Sequence, residues 1–118
     1  ISHQQSLSFQ RECDLLLITS SKVIGGKDYS IAGKTFEYFQ NQKPILAFVC
    51  DGDQKEILEE SGMAIICNPD DTQNAVLTLQ ETILGNINIK PNLKFIQEHS
   101  RKALTKSLAQ TFDSILLK

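Results

Sequence analysis

Three apolar runs constrain this chain more than anything else in it: Leu15-Leu16-Leu17-Ile18-Thr19, Ile45-Leu46-Ala47-Phe48-Val49-Cys50 and Met63-Ala64-Ile65-Ile66-Cys67. Each has the length of a strand. The first two show no alternation of apolar and polar residues, which predicts strands buried on both faces, as in a parallel sheet. The third predicts a shorter strand. Helix signals separate them. Ser2-x-x-Gln5 is a capping-box pattern that opens a helix to about Cys13. Lys34 to about Asn41 reads as a short helix with Phe36 and Phe39 on its inner side, and Pro44 stops it. Asp53-x-x-Glu56 is a second capping-box pattern, and the helix it starts ends at Gly62. Asn68-Pro69-Asp70-Asp71 turns the chain into a helix with Val76, Leu79 and Ile83 at helical spacing, closed by Gly85. Strands alternating with helices predict parallel pairing through right-handed crossovers, an α/β layered domain.

The 118 residues suit one domain, spanning 1–118. Within it, 86–92 reads as a linker and 93–118 as a helical tail. One amphipathic helix is expected in that tail, with Leu104, Leu108, Phe112, Ile115 and Leu116 on a face more often core than interface. The first helix has no strand before it, and the chain begins at Ile1 rather than Met. Both features suggest a piece of a longer protein whose earlier strands lie upstream, and leave a lost leader segment open.

Composition narrows the function classes. A formal net charge of −2, a pI near 5.6 and no basic stripe argue against a nucleic-acid surface, which needs clustered Lys and Arg. No apolar run approaches the roughly 20 residues of a membrane helix, so any membrane association is expected to be peripheral, on the inner face. Three cysteines without a CxxC pair read as reduced thiols of a cytoplasmic protein. Asp51, Asp53, Asp70 and Asp71 fit turns and helix caps rather than a metal site, and His3 and His99 read as surface residues. Neither a bound metal nor a cofactor is expected.

The segment Ser20 to Gly33 holds Gly25-Gly26 and is far longer than the roughly 2–6 residues that usually join a strand to a helix. Ligands of open parallel sheets bind beyond the carboxyl ends of the strands. The long loop leaves one such end and enters the helix near Gly33-Lys34. A helix amino terminus offers open N–H groups to a phosphate. Gly33 permits close approach, Lys34 adds a charge, and Glu37 lies one turn on, where a carboxylate accepts hydrogen bonds from a ribose. From spacing alone two alternatives stand beside this: Gly33 as a turn residue, and Lys34 with Glu37 as a surface pair.

Residues 31–48, Ile-Ala-Gly-Lys-Thr-Phe-Glu-Tyr-Phe-Gln-Asn-Gln-Lys-Pro-Ile-Leu-Ala-Phe, resemble a signature of retaining glycosyltransferases of the GT-B fold, family 4 type. Cys13-Asp14-Leu15-Leu16-Leu17 and Asn68-Pro69-Asp70-Asp71 fall where such proteins carry similar segments, so the resemblance covers nearly the whole chain. It implies a Rossmann-like three-layer domain with a short parallel sheet, the donor-binding part of the carboxyl-terminal half of a GT-B enzyme. It implies that Glu37 binds the ribose of a nucleotide-sugar donor, and that backbone amides around Ala32, Gly33 and Lys34 meet its diphosphate or sugar. Many relatives carry a further glutamate eight positions earlier, where this chain has Tyr29. Groups brought by preceding strands and by the amino-terminal domain of the enzyme, the acceptor site among them, are absent. No catalytic residue is therefore assigned, and the chain alone is expected not to transfer sugar. A non-catalytic Rossmann-like nucleotide-binding module and a piece of a sugar-nucleotide epimerase are the alternatives.

Overall fold

A computed structural model of the protein describes residues 2–20, 26 and 30–116. Among these, the order is α1 (His3–Glu12), β1 (Leu16–Thr19), α2 (Gly33–Asn41), β2 (Ile45–Phe48), α3 (Asp53–Ser61), β3 (Ala64–Cys67), α4 (Thr72–Ile83), α5 (Leu93–Glu98) and α6 (Arg101–Leu116). The strands form one parallel sheet in the order β1-β2-β3, and the fold is Rossmann-like α/β. In the register, Leu16, Ile45 and Ala64 lie side by side, as do Ile18, Ala47 and Ile66. These residues form one face of the sheet. Phe39 of α2, Leu58 of α3 and Phe95 and Ile96 of α5 close over the same core.

Local chemistry accounts for the element ends. Ser2 and Gln5 form the expected capping box, with Ser2 Oγ accepting from Gln5 N at 3.2 Å and Gln5 Oε1 from Ser2 N at 2.7 Å. The second expected box does not form. The first helical bond of α3 runs from Glu56 N to Gly52 O, so Gly52 is the cap and Asp53 already lies inside the helix. Its charge there still favours the amino-terminal end of the helix dipole. The tail holds two helices rather than one. Asn92 caps α5 through Phe95 N, and Ser100 starts α6 by accepting from Ala103 N. His99 sits at the break, stacked on Phe95 with ring centroids 3.9 Å apart, its Nδ1 2.8 Å from Phe95 O.

Burial departs from the sequence pattern in three elements. β2 is covered on both faces, but β1 alternates: Leu16 and Ile18 are buried while Leu17 is 51% exposed. β1 has a strand neighbour on one side only, and no described helix covers the face that carries Leu17 and Thr19. The stripe on α4 likewise turns outward, with Val76 and Ile83 at least half exposed, and the helix meets the sheet at β3. The half-buried side of α4 instead carries Ala75, Thr78 and Thr82. The apolar side chains of α6 from Leu104 to Leu116 are all exposed, so that face is not core here. α6 packs chiefly on α5, and the radius of gyration of 16.3 Å exceeds the about 13.5 Å of a compact domain of this length. No described helix is long and apolar enough to cross a membrane.

The segment 86–92 is tied down more firmly than a linker. Lys90 N donates to Gly62 O at 3.1 Å and Asn92 N to Ser61 O at 2.8 Å. Gly62 has a positive φ of 67°, and a Cβ there would run into the Lys90 carbonyl. Gln42 ends α2 at φ 53°, in the same left-handed region, where a side chain is strained. Gly62→Ala should therefore lower stability by at least about 1–2 kcal/mol, and Gln42→Gly should raise it by up to about 1 kcal/mol. Thermal unfolding of the two variants beside the wild type checks both signs.

Candidate functional site at the carboxyl edge of the sheet

Parallel pairing puts the carboxyl ends of all three strands on one edge, and the amino termini of the following helices with them. At this edge β1 is followed by Ser20, whose N–H donates to Phe48 O at 3.1 Å. Most of the long loop after it, including Gly25 and Tyr29, lies outside the described residues. The chain returns at Ser30 and enters α2 at Gly33, with Ala32 as the cap.

Among the described residues no side chain caps α2. The N–H of Ala32 is taken by Gln54 Oε1 of α3 at 2.7 Å, and Thr35 N bonds back to Ala32 O at 3.0 Å. Among the described residues none takes the N–H of Gly33 or Lys34. Both residues are exposed, and a Cβ on Gly33 would meet nothing within 4 Å. Of the amides expected to face a ligand, those of Gly33 and Lys34 are thus open among the described residues, while Ala32 is engaged by the protein itself.

Three polar side-chain atoms in this region are buried without a hydrogen-bond partner: Ser20 Oγ, Thr35 Oγ1 and Gln54 Nε2. Thr35 is fully buried and Gln54 is 3% exposed. Each such atom costs roughly 1–3 kcal/mol when left unpaired, so unpaired groups in a folded chain are rare and informative. All three belong to the end of β1 or to the first turns of α2 and α3. Sequence reasoning missed them because Ser, Thr and Gln near a helix start ordinarily serve as caps or surface residues. The usable signal was their position at the strand ends.

Glu37 lies one turn into α2 and lines a groove of about 360 Å³ with His3, Leu7, Arg11, Phe36 and Arg101. Its side chain is 18% exposed. Oε2 accepts from Gln10 Nε2 at 3.2 Å, and Oε1 lies 3.5 Å from the Arg101 guanidinium and 3.8 Å from His3 Nε2. No ion pair joins Glu37 to Lys34, so the surface-pair alternative does not describe this carboxylate. Arg101 is 80% exposed at its side chain, and an exposed contact of that length contributes little. Tyr38, beside Glu37, has its phenol pKa raised, first by burial and then by the Cys13 and Glu37 charges.

A second groove of about 320 Å³ runs along the ends of β2 and β3, lined by Cys50, Asp51, Lys55, Asn68 and Asp70. Lys55 Nζ donates to Asp51 Oδ1 at 2.8 Å, a bond that raises the lysine pKa. All three cysteines are free thiols, and among the described residues no group of three or more His, Cys, Asp or Glu is placed to hold a metal. No protein-family model, curated protein or solved structure matches the chain.

The unpaired atoms predict opposite responses to substitution. Thr35→Val removes a hydroxyl that bonds nothing and should leave stability unchanged or raise it by about 1 kcal/mol. Gln54→Leu deletes the acceptor of Ala32 N–H and should cost about 1–2 kcal/mol. Urea unfolding of both variants measures the difference.

Proposed function

We propose that this chain is the nucleotide-sugar-binding portion of a glycosyltransferase of the GT-B fold, family 4 type, which moves a sugar from a nucleotide-sugar donor to an acceptor. The observation that supports it most is the shared side of one helix. Gly33 and Glu37 are four residues apart, so their positions lie on one side of the helix, separated by about 6 Å of helix rise along the axis. A diphosphate at the amino terminus of α2 would leave the attached ribose within reach of Glu37. The helix dipole and the Lys34 ammonium supply positive charge where the diphosphate sits. Arg101 gives way to the ribose hydroxyls at small cost. The unpaired Thr35 and Gln54 groups add polar capacity beside the phosphates.

In this reading the chain supplies donor recognition, and the acceptor side belongs to the amino-terminal domain of the same enzyme. Phosphate is held by amides and a lysine rather than by a bridging cation. Glu37→Ala should remove a charge-assisted interaction of about 1.5–3 kcal/mol, a loss of roughly ten- to hundred-fold in affinity. Calorimetric titration of uridine, adenosine and guanosine diphosphates into wild type and variant, with and without EDTA, provides the measurement. The expected result is binding of at least one nucleotide that survives EDTA and weakens in Glu37→Ala. Binding that needs a divalent cation, or a folded variant of unchanged affinity, would overturn the assignment.

A further inference from the structure

α1 buries a single described residue against the rest of the protein, and that residue is polar: Gln10, 8% exposed. Its amide is used at both ends. Nε2 donates to Glu37 Oε2 at 3.2 Å, and Oε1 accepts from Asn41 Nδ2 at 3.0 Å. Asn41 Nδ2 also lies 3.3 Å from the Glu37 carbonyl. The chemistry dictates this orientation. An ionised carboxylate only accepts, so the NH₂ of Gln10 must face Glu37, and its oxygen then needs a donor, which Asn41 provides.

A helix held to its neighbour for structural reasons alone would bury an apolar side chain at this place, because burying an amide is costly unless each end is bonded. We propose that Gln10 is a positioning residue that fixes the Glu37 carboxylate to receive a ribose diol, an inference that rests on the nucleotide-binding reading above. Gln10 occupies Oε2 from the protein side. Oε1 is left toward the groove, where its contacts among the described residues are the long ones to Arg101 and His3. Asn41, one turn beyond Glu37 on α2, locks the amide and keeps the carboxylate in one rotamer. Gln10 touches no ligand in this scheme and acts through Glu37.

The test compares the affinity of ribonucleoside diphosphates with that of their 2′,3′-dideoxy counterparts in wild type, Glu37→Ala, Gln10→Met and Asn41→Ala, with melting temperatures recorded for each. Gln10→Met keeps the size of the side chain and removes the donor. Its preference for the ribose form should fall about tenfold, with dideoxy affinity unchanged. Asn41→Ala should lose part of the same preference, and it serves as the test should Gln10→Met not fold. A merely structural role for Gln10 would lower the melting temperature and leave the ribose preference intact. That outcome, combined with loss of preference in Glu37→Ala, overturns the positioning role alone. Equal behaviour of wild type and Glu37→Ala toward the two nucleotide forms, or no binding of either form by the wild type, overturns the nucleotide reading and this inference with it.

Discussion

The middle strand governs the architecture. β2 bonds in parallel to β1 on one side and β3 on the other, with Ile45 opposite both Leu16 and Ala64. Parallel neighbours require a crossover helix between each pair, and right-handed crossovers in one direction bring α2 and α3 to the same face. Their Phe39 and Leu58 complete the core there. The same constraint collects three strand ends and the amino termini of the three following helices at a single edge. The candidate site is a consequence of that pairing before any particular side chain is considered.

The edge is also where the protein leaves polar groups unpaired. Two buried polar side chains away from this edge are fully matched: Ser61 Oγ donates to Leu58 O and accepts from Met63 N, and Gln10 is bonded at both ends. Ser20, Thr35 and Gln54 break that pattern together at one place. Local rules tend to be violated where function requires it. The contrast between a satisfied interior and an unsatisfied strand edge is the physical basis for reading that edge as a ligand site.

Much of the fold was legible from residue pattern. The unalternating runs located all three strands, Ser2 and Gln5 fixed the start of α1, and Gly62 and Gly85 marked two helix ends. What failed depended on neighbours that pattern cannot see. The apolar runs of β1 and α4 reported what those elements could bury, but burial also needs a covering layer, and Leu17 and Val76 have none among the described residues. The one helix expected in the tail rested on the spacing of Leu104 to Leu116, and the short helix before it, set off by the caps Asn92 and Ser100, carries too few apolar residues to show a period. At the site, Glu37, Gly33 and Lys34 could be singled out from spacing within one helix. Gln10 and Gln54 could not, since their partners lie 27 and 22 residues away.

The central claim is that a nucleoside diphosphate binds with its phosphates on the first turn of α2 and its ribose at Glu37. Backbone amide chemical shifts, followed by NMR during titration with uridine, adenosine and guanosine diphosphates, test it most directly. The account predicts that the largest shifts fall on Gly33, Lys34 and Thr35, with smaller ones at Glu37 and Gln54. Shifts concentrated along the groove of Cys50, Asp51 and Asn68, or no shifts with any of the three nucleotides, would contradict it.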